Sequence, residues 1–308
     1  MSRRAAHAAV ALLCAVAATG ACAATVGAAA SPWWAWPLAL FVVCFLIGIV
    51  AVPAGVGGGV LFVPIIGSFF PFDLDFVRAA GLLVALASSL AAAPNLLRTG
   101  LADLRLALPM ALVASIAAVP GVLLGLVLPA AFLQVALGLV ILAIVVLMLV
   151  SRQAELPSPP PARHWASLAI RGTFRDRATG NEVRWHVHRI PTGCAAFALN
   201  GLLGGMFGVG AGWANVPTLN LLMGAPLKIA VGTSSVILSL ASASAVWTYA
   251  NAGAVLPIVA APAMIGTMLG ARIGAHLLSV LKATHVRRVV IVVLFIAGLR
   301  AIAKGLGT

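Results

Sequence analysis

Long uncharged apolar runs, separated by short polar gaps, dominate the sequence. No charged residue occurs in residues 79–97, and none occurs in residues 106–150, a stretch that Pro129 divides into two. A helix needs about 20 apolar residues to cross a bilayer, so these runs predict membrane-spanning helices. Because the runs are continuous, they lack the alternating pattern of an outer-membrane barrel. The sequence therefore predicts an all-α integral membrane protein.

The apolar runs predict two series of five helical elements, one on each side of a central polar segment. The first series covers approximately residues 36–53, 60–70, 77–97, 106–128 and 130–150. The second covers approximately residues 194–207, 213–223, 229–251, 255–278 and 286–304. In both series a glycine-rich interruption separates the first element from a short second element. The equal order and spacing indicate an internal duplication.

Each glycine-rich interruption occupies the same place in its half of the chain. The first reads VPAGVGGGVLFVP (residues 52–64) and the second GMFGVGAGWANVP (residues 205–217). Irregular backbone within a membrane is tolerated where protein covers it or where it lines a cavity. Its free N–H groups form a concavity that binds anions, and a helix that begins there adds a positive dipole end. Close packing of small residues is the alternative, but two interruptions at equivalent positions favour a transport site.

Polar residues near the interruptions complete the predicted anion site. Ser235, Ser239 and Ser242 recur on one helical face, where they would line an anion path as neutral donors; interhelical hydrogen bonding is the alternative. An arginine in an apolar helix is a functional candidate, and extension of its side chain to the membrane surface is the alternative. The predicted substrate-binding residues are Gly57, Gly58, Gly59, Gly210, Ala211, Gly212, Asn215, Thr233, Ser234, Ser235 and Arg272.

The charged residues predict the orientation of the chain. The net charge is +13, but the charges lie between the apolar runs, where basic residues act as topology signals rather than as a nucleic-acid surface. A cytoplasmic N-terminus places fifteen of the nineteen basic residues inside and three outside. In this orientation the halves form two inverted repeats with re-entrant or half helices, and about 8–9 transmembrane segments result.

Several kinds of chemistry have no support in the sequence. All six acidic residues fall in predicted loops, which disfavours a cation path through the membrane. No nucleophile–base pair, nucleotide-binding loop or set of metal ligands occurs within a predicted element. We therefore expect no enzymatic activity, no cofactor and no metal.

The chain divides into four predicted segments. Residues 1–31 form either a signal peptide or an additional transmembrane helix. Residues 32–150 and 192–308 form the two membrane repeats. The linker between them, residues 151–191, contains seven arginines and is cytoplasmic in the predicted orientation. Within it, GTFRDRATGNEVRWHVHR predicts a small hairpin with ATGN as its turn.

The motifs GVGGGVLFVP, GVGAGWANVP, GAPLKIAVGTSS and NAGAVLPIVAAPAMIGTMLGARIGA resemble those of the sulfite exporter TauE/SafE family, also called the TSUP permeases. The resemblance covers about residues 36–150 and 192–304. It implies a permease of bacterial inner membranes that moves sulfur oxyanions or organosulfonates, such as sulfite or sulfoacetate. The sequence departs from the family pattern at Ala211, where the family usually repeats glycine.

Together these observations predict a secondary transporter of a small sulfur oxyanion or organosulfonate, with the two repeats moving around a central site. The expected partners are a small inorganic or organic anion and the lipid bilayer, without nucleic acid, and a homo-oligomer is compatible with the sequence. The alternative is a non-transporting membrane assembly or sensor protein that acts through the arginine-rich linker.

Overall fold

The computed structural model describes residues 34–54, 57–69, 72–150, 171–175, 182–277 and 283–307. The first half forms helices α1 (Ala35–Ala54), α2 (Gly58–Phe69), α3 (Leu74–Arg98), α4 (Leu104–Val127) and α5 (Ala130–Val150). The linker contributes strands β1 (Arg171–Arg175) and β2 (Glu182–His186). The second half forms α6 (Ile190–Phe207), α7 (Gly212–Pro217) with a π-helical turn at Thr218–Leu222, α8 (Leu227–Asn251), α9 (Pro257–Leu277) and α10 (Ala283–Gly305). The predicted segment 1–31 lies outside the described residues.

The described helices confirm the prediction of an all-α membrane protein. Five of them, α3, α4, α5, α6 and α8, contain stretches long and apolar enough to cross a membrane. Helices α1, α2 and α9 contain shorter apolar stretches. Both halves show the predicted order, in which a helix, an interruption and a short helix precede three further helices.

Two prolines account for differences between the predicted and observed elements of the second half. Helix α6 begins at Ile190 rather than at the predicted Cys194, because Pro191 lies in its first turn, where the missing N–H is not needed. The predicted short element 213–223 consists of α7 and the π-helical turn that follows Pro217. A proline within a helix removes one backbone hydrogen bond, and the change to wider turns occurs at that residue.

Glycines allow helices α4 and α6 to touch along their backbones. A Cβ atom on Gly201 would overlap the carbonyl oxygen of Ala114, and a Cβ atom on Gly205 would overlap that of Ala118. Small residues permit such close approach between membrane helices, which gain van der Waals contact where no hydrophobic force drives them together. Because the contact advances by four residues in the same direction on both helices, α4 and α6 run parallel.

Helices α1 and α9 repeat this arrangement. A Cβ atom on Gly48 would lie 2.6 Å from the carbonyl oxygen of Thr267, and one on Gly270 would overlap the carbonyl oxygen of Phe45. Gly266 contacts the backbone of Phe41 in the same way, so α1 and α9 also run parallel. We call the α4–α6 and α1–α9 contacts the two glycine seams.

The buried apolar residues form two main clusters, and each cluster draws on both halves of the chain. The first combines α1, α2, α5, α9 and α10, for example through Phe62, Ile141 and Leu294. The second combines α4, α6, α8 and the residues around the hairpin, for example through Met110 and Phe197. Helix α3 contributes residues to both clusters.

The predicted hairpin is confirmed and is docked on the second half of the chain. Strands β1 and β2 pair antiparallel, and the ring of Trp185 covers Gly172, since a Cβ atom there would lie 2.7 Å from the ring. Trp185 and Val187 are buried in the second cluster together with Met223. The backbone N–H of His188 donates to the carbonyl oxygen of Met223 at 3.1 Å. The predicted ATGN turn lies outside the described residues.

We expect acidification to loosen this docking. The His188 ring packs directly on Gly224, and burial, followed by the nearby Arg189 and His186, lowers the pKa of His188 from its ordinary value of 6.5. A histidine whose pKa is lowered by folding stabilises the docked state above its ordinary pKa and loses that contribution as the pH falls. Hydrogen-exchange protection of residues 182–188 should therefore decrease between about pH 7.5 and 5.5.

The variant His188→Gln should abolish this pH dependence, because glutamine does not titrate. The exposed His186 provides a matched control. His186→Gln should retain most of the pH dependence, because His186 makes the smallest contribution to the lowered pKa of His188. If protection in His188→Gln decreases on acidification as much as it does in the unaltered protein, another group controls the docking.

Candidate functional site

The two glycine interruptions lie side by side at the middle of the molecule. A Cβ atom on Gly210 would lie 3.1 Å from both Ala85 Cβ and Leu238 Cδ1, and one on Gly57 would lie 3.4 Å from Leu238 Cδ2. Ala85 and Leu238 are near the midpoints of α3 and α8, which are each 25 residues long. The same two side chains therefore flank both interruptions.

The interruptions also touch each other directly. A Cβ atom on Gly59 would lie 2.9 Å from the carbonyl oxygen of Val209 and 2.8 Å from that of Gly81. Gly59 lies in the first turn of the 12-residue helix α2, which places the positive end of that helix dipole against the second interruption.

Backbone conformation explains why glycine occupies particular positions of the interruptions. Gly57 has φ +74°, Gly208 φ +71° and Gly210 φ +64°, a left-handed conformation that other residues adopt only at a cost. By contrast, Ala211 has φ −89° and ψ 9°, which an alanine adopts readily. A left-handed residue followed by a right-handed one directs successive N–H groups towards a common point. The departure from the family pattern at Ala211 is therefore compatible with a concavity of N–H groups.

Two serine hydroxyls absent from the predicted set lie beside the interruptions. Ser88 Oγ would lie 3.6 Å from a Cβ atom on Gly58, and it donates to the carbonyl oxygen of Ala85 at 3.0 Å. Ser242 Oγ would lie 4.0 Å from a Cβ atom on Gly210. Ser242 is 2% exposed, and its hydroxyl has no hydrogen-bond partner among the described residues. The sequence places Ser242 on the same helical face as Ser235 and Ser239, and this pattern could have identified it as a site residue.

The predicted hydroxyls at the start of α8 lie away from the interruptions. Thr233 Oγ1 accepts a hydrogen bond from the backbone N–H of Asp103 at 3.2 Å, in the connection between α3 and α4. Ser235 Oγ donates to the carbonyl oxygen of Val231 at 3.1 Å, and Ser234 is buried nearby on α8. Thr233 is about 7.5 Å along the helix axis from Leu238. Thr233 therefore connects α8 to the α3–α4 loop, whereas Ser235 bonds within its own helix.

A pair of buried amides follows the second interruption. Asn215 is fully buried on α7, and its Oδ1 accepts a hydrogen bond from Asn200 Nδ2 on α6 at 3.3 Å. Asn215 Nδ2 has no hydrogen-bond partner among the described residues. The equivalent positions of the first half are Ile47 and Phe62, which are buried in the first apolar cluster. At this pair of equivalent positions, the second half therefore has an amide–amide contact and the first half an apolar one.

Arg272 and Arg78, which both lie in apolar helices, have opposite environments. Arg272 is exposed on α9, so the structure does not bring it together with the buried residues around the interruptions. Arg78, by contrast, is 1% exposed at the start of α3. In the orientation predicted from the sequence, Arg78 is one of the three basic residues on the outer side, and it is not among the predicted substrate-binding residues. Arg78 lies within the predicted element 77–97. Because an arginine in a membrane helix is a functional candidate, this position was a signal that could have identified it.

Three findings compare the chain with known proteins. The family described as Sulfite exporter TauE/SafE matches residues 40–301. The chain is 28% identical over 160 residues to Probable membrane transporter protein YunE of Bacillus subtilis (strain 168), and the matched part is 52% of this chain and 58% of that relative. No solved structure matches the chain.

Both descriptions concern transport rather than catalysis, and together with the apolar helices they identify a multi-pass membrane protein. The chain spans 58% of the length of the relative it matches, whereas the family match covers most of the chain and both interruptions. This chain belongs to the sulfite exporter TauE/SafE family.

Proposed function

We propose that this protein is a secondary transporter of a small sulfur oxyanion or organosulfonate, such as sulfite or sulfoacetate, in the bacterial inner membrane. The observation that carries the proposal is the contact between the two glycine interruptions at the midpoints of α3 and α8. Transporters with internal repeats bind their substrates near the bilayer midplane, where broken helices meet. The family assignment supports transport, and the chemistry around the interruptions supports an anion.

Several hydrogen-bond donors lie in or beside the two interruptions. The backbone N–H groups of residues 57–59 and 210–212, the hydroxyl of Ser242 and the amide of Asn215 all donate. The four acidic residues in the described part of the chain are elsewhere, at Asp73 and Asp75 before or within the first turn of α3, Asp103 before α4 and Glu182 in the hairpin. In a site from which water is excluded, such donors stabilise an anion and exclude a cation.

The directions of the helices support the inverted arrangement that the proposal requires. Helices α4 and α6 are parallel, as are α1 and α9. Helices α3 and α8 are antiparallel, because Arg78 near the start of α3 lies under Tyr249 near the end of α8. An inverted pair of repeats produces this set of directions. With the orientation that the basic residues predict, the linker would be cytoplasmic, and Thr233, Ser234 and Ser235 would lie on the cytoplasmic approach to the site.

Substitution of Ser242 provides a test of the proposed site. Ser242→Ala should reduce the affinity for sulfite by about ten-fold or more, because a hydrogen bond to a charged group contributes about 1.5–3 kcal/mol. The same change should leave the thermal stability unchanged or raised, because it removes a buried hydroxyl that has no hydrogen-bond partner among the described residues. Uptake of labelled sulfite and of a sulfonate into proteoliposomes, together with thermal unfolding, measures both effects.

Ser239→Ala is the matched control on the same helix, since Ser239 Oγ already donates to the carbonyl oxygen of Val236 at 2.8 Å. Uptake by this variant should equal that of the unaltered protein. If neither sulfite nor a sulfonate is transported, the proposed function is wrong. If both serine variants transport alike, the substrate does not bind at Ser242.

A further inference from the structure

We propose that Arg78 is the positioning residue that makes the second interruption accept a doubly charged anion. This inference rests on the proposed function, because it concerns the charge of the substrate at the same site. Arg78 does not belong to either interruption. It acts through the helix that leads into the second one.

The guanidinium group of Arg78 joins the ends of two helices. Its Nη1 donates to the carbonyl oxygen of Gly125 at 2.9 Å and to that of Met206 at 3.0 Å. Gly125 lies in the last turn of α4 and Met206 in the last turn of α6. Carbonyl groups in the last turn of a helix lack partners within the helix, so one arginine satisfies carbonyls that both helices leave open.

The surrounding contacts hold this guanidinium group in one place. Its Nη2 forms an ion pair with Asp75 one turn earlier, and its Cζ lies 6.0 Å from the centre of the Tyr249 ring. The hydroxyl of Tyr249 donates to the carbonyl oxygen of Gly205 at 3.2 Å. Arg78 and Tyr249 therefore bind consecutive carbonyls at the end of α6, where the second interruption begins.

The second interruption packs directly against Arg78. Gly208, the left-handed residue that ends α6, packs so closely on the backbone of Arg78 that a Cβ atom would overlap it. The side chain of Arg78 thus fixes the last turn of α6, and its backbone supports the first residue after that turn. Both contacts set the direction of the N–H groups at Gly210 and Ala211.

Charge gives Arg78 a second effect on the same site. The C-terminal end of a helix carries about half a negative charge, and α4 and α6 both end beside Arg78. The last turn of α6 packs against the second interruption, since a Cβ atom on Gly204 would lie 3.1 Å from the backbone nitrogen of Ala211. The negative end of α6 would therefore repel an anion bound there, and it would repel a dianion twice as strongly as a monoanion. Arg78 is buried whereas its partner Asp75 is 42% exposed, so water screens the carboxylate more than the guanidinium. The buried positive charge offsets the two helix ends.

Sulfite allows the charge effect to be measured with one molecule, because it is mainly a dianion at alkaline pH and a monoanion at acidic pH. Arg78→Gln should weaken sulfite binding at alkaline pH on the order of ten-fold more than at acidic pH, relative to the unaltered protein at each pH. Arg78→Lys should keep the charge preference, although a lysine lacks the planar fork of donors that joins both carbonyls. A purely structural role would lower the affinity equally at both pH values in Arg78→Gln.

Hydrogen exchange of residues 205–211 tests the positioning effect without any substrate. Arg78→Gln should increase exchange there, and Tyr249→Phe should do so to a smaller extent without changing the charge preference. If the unaltered protein binds no sulfite, the proposed function fails, and the exchange measurement alone decides the role of Arg78. Unchanged exchange in Arg78→Gln overturns the inference, as does an equal loss of affinity at both pH values.

Discussion

Replacement of Gly59 by alanine is expected to abolish transport while the protein still folds. The added Cβ atom would lie 2.9 Å from the carbonyl oxygen of Val209, 2.8 Å from that of Gly81 and 3.0 Å from Ala85 Cβ. Two of these neighbours are backbone atoms, which cannot rotate away, so the two interruptions must separate. Displacing a binding group by about 1 Å can reduce a rate about 100-fold. Proteoliposome uptake of labelled sulfite measures the effect.

Gly67→Ala is the matched control in the same helix. Its Cβ atom would meet only side chains, at 3.7 Å from Val77 and 3.9 Å from Leu74, both in ordinary van der Waals contact. In each variant alanine should favour the helix over glycine by about 0.8–1 kcal/mol. Uptake should therefore persist in Gly67→Ala. Persistence in both variants would mean that the contact between the interruptions is not required for transport.

A large loss of stability is expected when a side chain is added at the α4–α6 glycine seam. Gly201→Ala would place a Cβ atom on the carbonyl oxygen of Ala114, and the two backbones would have to move apart. Overpacking of this kind typically costs about 1–3 kcal/mol, and the gain in helix propensity of about 1 kcal/mol offsets only part of it. The unfolding temperature in detergent should fall.

Gly298→Ala provides the comparison for this prediction. Gly298 is also a glycine within a helix, but its nearest neighbours are side-chain atoms of Ile141 at 3.2 Å and Leu142 at 3.3 Å. Such side chains adjust more easily than a carbonyl group, so the stability should change little. If Gly201→Ala proves as stable as Gly298→Ala, the close backbone contact between α4 and α6 is not essential to the fold.

The elements of this fold could be predicted from the sequence because their signals are local. Uncharged runs located the helices, the glycine clusters located both interruptions, and the turn sequence predicted the hairpin. The predicted short helix at 60–70 differs from α2 by two residues at its start and one at its end. The predicted second short helix missed its change to π-helical turns, since Pro217 offers a breaker signal but no indication of the new conformation.

The side chains of the candidate site were harder to predict because their partners are distant in sequence. Arg78 binds carbonyls 47 and 128 residues away. Thr233 was assigned to the anion site from its neighbours in the sequence, but it contacts Asp103, which is 130 residues away. Asn215 was included for its closeness to the second interruption, whereas its partner Asn200 carried no signal. Contacts of this kind follow from helix packing, which composition and periodicity do not specify.

The glycine seams determine which parts of the protein can rotate relative to each other. Helix α1 belongs to the first half of the chain and α9 to the second, yet their backbones touch, and α4 and α6 are joined across the halves in the same way. A helix cannot tilt away from such a contact without losing it, so we expect each pair to move as one rigid body. Alternating access would then rotate the α1–α9 body against the α4–α6 body, with α3 and α8 between them. The moving units would then each combine helices from both halves of the chain.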